Sequence, residues 1–228
     1  MTGLRGVLLA TLLLSAGCSD EQAGAGGVPP AGSGYDFLVL SLSWSPTYCL
    51  TEGERANRSQ CASDERHTFV VHGLWPQFER GWPEFCDSRE PERVPEALVR
   101  EVIDIMPSAG LIGHQWRKHG SCTGLSQRDY FALVRAARER VGVPERFENL
   151  SRRATIAPGA VEAAFIDANA GLPDDGIAVT CNDRFVSEVR ICLTKALEFR
   201  SCPEVDARAC RLPHAQMPAA GARRPPNG

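Results

Sequence analysis

The chain has no apolar run near the ~18 residues that cross a bilayer as a helix, which excludes a polytopic membrane protein. It has no excess of positive charge. Its formal net charge of -3 argues against a protein that coats nucleic acid non-specifically, although it leaves room for a small basic site. It lacks any Cys-x-x-Cys pair, which weakens a structural zinc reading, and it lacks internal repeats. It also lacks the Gly-rich strand-to-helix turns of a nucleotide-binding fold. What is present, 43% hydrophobic and 23% charged residues over 228 positions, is a globular composition and not a disordered one. That length suits one domain with tails.

Residues 1–17 read as an export signal, with Arg5 as a basic start, Val7 to Leu14 as a short apolar core, and small Ser15, Ala16 and Gly17 after it. Cys18 follows directly, as the lipidated Cys of a bacterial lipoprotein does, but Ser15 stands where such signals carry a larger aliphatic residue. Cleavage after Ala25 would discard Cys18 altogether, so a lipid anchor and a free exported protein both remain open. Without Cys18 the nine Cys become eight: Cys49, Cys61, Cys86, Cys122, Cys181, Cys192, Cys202 and Cys210. In an oxidising compartment these are disulfide candidates, and arithmetic alone does not choose among their pairings.

Residues 18–34 are rich in Gly, Ala and Pro and read as a flexible tether, and residues 213–228 as a disordered tail, leaving 35–212 as the folded domain. Within it, Phe37 to Trp44 alternates with Leu38, Leu40, Leu42 and Trp44 on one side, which predicts a strand. A second strand is predicted over Thr68 to His72, ended by Gly73. Helices are predicted over Glu96 to Met106 between two prolines, after Ser126 with Tyr130, Val134, Ala137 and Val141 buried, and over Gly159 to Ala170. Ile177 to Cys181 and Phe185 to Leu193 read as two further strands. Interleaved helices and strands without nucleotide-type turns make an α+β fold the expectation.

Two segments are hard to explain as packing alone. The first is Val71-His72-Gly73-Leu74-Trp75-Pro76-Gln77, with a His at a strand end. The second is His114-Gln115-Trp116-Arg117-Lys118-His119-Gly120-Ser121-Cys122. On a helix, at about 100° per residue, His114, Gln115, Lys118 and His119 fall on one stripe, while Trp116 and Arg117 point elsewhere. Zinc binding by His67 with His72, or by His114 with His119, is disfavoured. Five residues along a strand put side chains on opposite faces, and five along a helix put them about 140° apart.

Together these segments resemble the ribonuclease T2 family, bacterial and periplasmic type, whose motifs have the forms His-Gly-Leu-Trp-Pro and His-Glu-Trp-x-Lys-His-Gly-x-Cys. Leu42 to Cys49 also looks like that family's opening strand and loop, so the resemblance covers nearly all of the domain. It implies a central antiparallel sheet with flanking helices, and metal-independent cleavage of single-stranded RNA through a 2′,3′-cyclic phosphate, with no cofactor. DNA lacks the 2′-OH nucleophile and should not be cut.

The chemistry needs these residue types. One group removes a proton from the 2′-OH and another delivers one to the leaving 5′ oxygen, work suited to imidazoles with an ordinary pKa of about 6.5. The resemblance implies His119 as general base and His72 as general acid; sequence does not exclude the reverse. Lys118 would stabilise the phosphoryl oxygens and His114 would hold the phosphate. Trp75 would stack on a base, and Gln77 would contact a base edge with little discrimination, because its amide both donates and accepts. Gln115 stands where the family usually has Glu. It can donate to a phosphoryl oxygen but cannot relay a proton, which leaves open a catalytically impaired protein that binds RNA without cutting it. The resemblance also selects disulfides Cys49 with Cys61, Cys86 with Cys122, Cys181 with Cys210, and Cys192 with Cys202. The chain is expected to be an exported monomer, membrane-attached if Cys18 is lipidated.

Overall fold

The computed structural model describes residues 34–52, 57–62 and 64–221. The expected leader, Cys18, nearly all of the tether and residues 222–228 lie outside them. In chain order the elements are β1 Phe37–Trp44, α1 Ser45–Thr51, α2 Arg58–Cys61, β2 Phe69–Gln77, α3 Glu96–Val102, α4 Ala109–Lys118 and α5 Gln127–Arg140. There follow α6 Glu145–Glu148, β3 Ala154–Ile156, α7 Pro158–Ala168, β4 Ile177–Asn182, β5 Phe185–Leu193, α8 Pro203–Asp206 and β6 Ala215–Met217. The sheet runs β2-β1-β5-β6-β3, with β4 also paired to β5. All pairings are antiparallel except one parallel bridge between Phe185 and Gln216, so the sheet expected as antiparallel is mixed at that point.

The apolar alternation of β1 has a direct structural consequence. Leu38, Leu40, Leu42 and Trp44 face the main core, where Tyr130, Phe131, Leu133 and Val134 of α5 and Val161 and Phe165 of α7 close over them. Each such side chain contributes roughly 1.5–3 kcal/mol by leaving water. Phe37 and Val39 point the other way into a smaller cluster with Cys192, Cys202 and Val205. Helix α5 begins where Ser126 accepts a hydrogen bond from the Asp129 N–H at 3.2 Å, which satisfies one of the free donors of its first turn. Its expected stripe, Tyr130, Val134, Ala137 and Val141, is buried.

Four expectations need correction. Strand β2 does not stop at Gly73 but continues to Gln77. Helix α3 ends at Val102, short of Met106, because the chain turns so that the Ile105 carbonyl accepts from Val71 of β2, and Pro107 disfavours helix before it. The third helix, α7, covers Pro158–Ala168 and ends two residues early, at the Asn169 cap. The tail is not wholly outside the fold: Ala215 and Met217 are buried in β6, paired to β3, and the Pro218 carbonyl accepts from Trp44 Nε1 at 3.1 Å. The folded domain therefore extends past Leu212.

The disulfides are Cys49–Cys61, Cys86–Cys122, Cys181–Cys210 and Cys192–Cys202, the pairings that the resemblance selects. The last two tie the segment carrying α8 to β4 and β5, on the face of the sheet where Val205 packs with Phe37 and Val39. Cys86–Cys122 ties the loop after β2 to the end of α4.

Candidate active site

His72 owes its position to a break in strand register. Ser41 of β1 pairs with Gly73 while Leu42 pairs with Val71, so His72 is the extra residue of a β-bulge. Bulges re-aim a side chain and change which residues share a face. Before the bulge Phe69 and Val71 face the core; after it Leu74 does, and Trp75 and Gln77 turn to the opposite face with Val39. Gly73 is required here. A Cβ at this position would lie 2.0 Å from Gln115 Oε1 and 2.3 Å from Trp75 Nε1.

Helix α4 brings the second set of residues against that face. Ser108 caps its start, accepting from Leu111 N at 3.2 Å, and Trp116 anchors its inner side, its Nε1 donating to the Pro91 carbonyl at 2.9 Å. His119 is the C-cap, with Gly120 next. A Cβ on Gly120 would come within 2.5 Å of Trp116 and 2.8 Å of Tyr130, so only Gly lets the chain turn so tightly under α4. The Lys118 carbonyl accepts from Phe85 N at 2.9 Å, and Cys86–Cys122 closes the same junction.

The result is a cavity of about 300 Å³ whose walls include His72, Trp75, Gln77, His114, Gln115, Lys118 and His119. All seven residues expected for catalysis, phosphate binding and base binding meet there. His67 lies elsewhere, beside Glu65 at 3.7 Å, and His214 is exposed outside it. Arg117 is exposed, as a solvated charge should be.

Trp75 is the centre of the arrangement. Its ring lies 5.3 Å from His119 in a stacked geometry and 5.3 Å from His72 edge-on, with Arg190 5.2 Å from its centroid. Its Nε1 donates to Gln115 Oε1 at 2.9 Å. Trp75 was expected as a stacking platform for a base. One face of its ring stacks on His119, so the ring lies between the two imidazoles. Gln115, 1% exposed, has its carbonyl end held by this bond, which leaves the NH₂ as its donor end.

The two imidazoles sit in unlike surroundings. His119 is buried and its Nδ1 has no hydrogen-bond partner among the described residues; burial above all, then the charges of Lys118, His72 and His114, push its pKa down to about 3. It is therefore neutral near pH 7, the form a general base needs, while the same burial and neighbouring charges weaken its hold on a proton. His114 is lowered as well, by burial and then by Lys118, Arg117 and His72. His72 has a carboxylate partner, Glu188, on its Nδ1. Lys118 Nζ lies 3.4 Å from Glu84 at the partly exposed rim.

Glu188, Arg190, Trp82 and Arg208 were missed in the sequence. Arg190, Trp82 and Arg208 line the cavity, with Arg208 over the Trp82 ring at 4.8 Å. The available signal was the charged pair Glu188 and Arg190 inside a mostly apolar strand, on the face opposite Val189 and Ile191.

Comparison with known proteins bears on the family and the fold. The model for "Ribonuclease T2 family" matches residues 35–202. A ribonuclease of Aeromonas hydrophila is 34% identical over 194 residues, 84% of this chain and 83% of its own length. Among solved structures, an RNase-related protein from Calystegia sepium superposes with a TM-score of 0.65 at 19% identity, covering 82% of this chain and 99% of its own. RNase NT in complex with 5′-AMP superposes with a TM-score of 0.61 at 24% identity, over 86% and 100% of the two chains.

Proposed function

The chain belongs to the ribonuclease T2 family, and from that premise we propose that this endoribonuclease cuts single-stranded RNA by metal-independent transphosphorylation. In the first step His119 takes the 2′-OH proton, O2′ attacks phosphorus, the P–O5′ bond breaks, and His72 gives its proton to the leaving O5′. The products are a 2′,3′-cyclic phosphate end and a 5′-OH end. Water then opens the ring with the two His in exchanged roles.

The observation that carries this reading is one cavity holding two imidazoles in opposite electrostatic settings, with cationic Lys118 on its wall. Neutral His119 suits a base, and carboxylate-backed His72 suits an acid. Lys118 stabilises charge on the phosphoryl oxygens, while His114 and the Gln115 NH₂ hold the phosphate. Gln77, on the cavity wall, meets a base with an amide that tolerates several partners, so base preference is weak. The four disulfides and the leader-like residues 1–17 support export to the periplasm, with a lipid anchor if Cys18 is retained.

The test is cleavage of single-stranded RNA and of the matching DNA by purified protein, with His72→Ala and His119→Ala beside the wild type. RNA should be cut and DNA not, with each variant losing at least about a hundredfold. Binding of RNA without cleavage would replace this reading with a non-catalytic one.

A further inference from the structure

Glu188 is a carboxylate only 7% exposed, in a strand otherwise rich in Val, Ile and Leu, and it moves no proton in the steps above. A buried charge is costly unless it is paired and hydrogen-bonded. This one has three partners. Its Oε1 meets His72 Nδ1, its Oε2 accepts from Arg190 Nε at 3.0 Å and Nη2 at 2.8 Å, and the Ser43 hydroxyl donates to Oε1 at 3.5 Å.

Strand register explains how His72 of β2 and Glu188 of β5 meet at all, since β1 runs between them. Ser41 lies opposite Gly73 on one side and Arg190 on the other, and Ser43 lies opposite Val70 and Glu188. Neighbouring strands are ~4.8 Å apart, so a contact across an intervening strand needs two long side chains and short ones beneath. Ser41 and Ser43 are those short ones. A second bulge, at Ser187, where Thr180 pairs with Glu188 and Cys181 with Val186, adjoins the carboxylate as the His72 bulge adjoins the imidazole. Both strands are thus re-aimed toward one contact.

We propose that Glu188 is the positioning residue of the general acid: it accepts the Nδ1–H of His72, presents Nε2 to the leaving oxygen and supports the positive charge there, while Arg190 holds the carboxylate in place. The inference rests on the roles proposed for His72 and His119. The settings of the two His agree with it. Among the described residues no carboxylate meets the buried Nδ1 of His119, whereas Glu188 stays ionised: burial pushes its carboxyl up, but the hydrogen bond and charge of His72, with Arg190, outweigh that and hold it at about 2.

A positioning role through the acid makes a selective prediction. Loss of acid catalysis matters for a 5′-alkoxide leaving group and little for 4-nitrophenolate, which departs without a proton. Glu188→Gln should lower kcat on a dinucleoside monophosphate by roughly ten- to a hundredfold, part of what a general acid supplies, with KM within about threefold. On a nucleoside 3′-(4-nitrophenyl phosphate) the same variant should fall by less than about threefold. Equal loss on both substrates with an unchanged melting curve, or no loss on either, overturns the proposal. A second measurement needs no variant: ¹⁵N spectra of the histidine-labelled wild type at neutral pH should show the His72 Nδ1 proton in a hydrogen bond protected from exchange. A His72 ring with its proton on Nε2 and a bare Nδ1 overturns it. A wild type that cuts neither substrate would remove the ribonuclease reading instead, so the two failures are distinguishable.

Discussion

Replacing Gly73 with Ala perturbs one contact on which several others depend. The new Cβ would sit 2.0 Å from Gln115 Oε1 and 2.3 Å from Trp75 Nε1, closer than real Cβ atoms come to anything. Neither neighbour can yield freely. Gln115 is 1% exposed on α4, and Trp75 is packed against both imidazoles. The Trp75–Gln115 hydrogen bond must break or β2 and α4 must separate. Overpacking of this kind costs about 1–3 kcal/mol, and a lost net hydrogen bond costs about 1 kcal/mol more. The reduced entropy of Ala in the unfolded chain returns roughly 0.4–1 kcal/mol, so the expected net loss is about 1–3.5 kcal/mol. Urea denaturation with the disulfides intact measures it. Activity should fall by at least about tenfold, because the spacing of the two His is set by Trp75. Gly73→Ala combined with Gln115→Ala removes the nearest clashing atom and should recover at least about 1 kcal/mol without recovering activity, the non-additivity expected of residues in contact. A Gly73→Ala protein within about 0.5 kcal/mol of wild type would refute the reasoning.

Acid should weaken the fold through His119, whose pKa burial pushes down to about 3 in the folded state against about 6.5 unfolded. Between those values the unfolded chain binds more protons, so stability is full above about pH 6.5 and is lost as pH falls toward 3, by up to a few kcal/mol. Urea midpoints from pH 7 to pH 5 should fall more steeply for wild type than for His119→Asn, and parallel slopes would contradict the assignment. Glu84→Gln should lower KM for RNA by up to about fivefold with kcat nearly unchanged, because an exposed pair worth about 0–1 kcal/mol no longer competes with phosphate for Lys118. An unchanged or higher KM would show that Glu84 does not compete.

Parts of the fold were legible because they rest on long periodic signals. The apolar stripe of α5 and its Ser126 cap read directly as a helix, and the alternation in β1 reads directly as a strand. The three-residue β6 carries too little pattern to separate it from a tail rich in Pro and Ala. The site was legible as residue types but not as geometry. Strict alternation along β2 puts Trp75 on the same face as Val71, in the core. One inserted residue at His72 reverses that parity, and nothing in the local sequence announces the bulge beyond Gly73. Glu188 was hidden for a related reason. Its partner lies 116 residues away and two strands across, joined only by register. The helical stripe from His114 to His119 needed no such information, since one turn of α4 and its cap contain it.

The central claim is that these residues alone move the protons and hold the phosphate while O2′ displaces O5′. Phosphorus NMR of a dinucleoside monophosphate incubated with the enzyme in excess chelator tests it most directly. The account predicts that a 2′,3′-cyclic phosphate resonance grows first and then gives way to a 3′-monophosphate, at a rate unaffected by chelator. Products bearing 5′-phosphate, or activity that disappears with chelator and returns with a divalent cation, would contradict it.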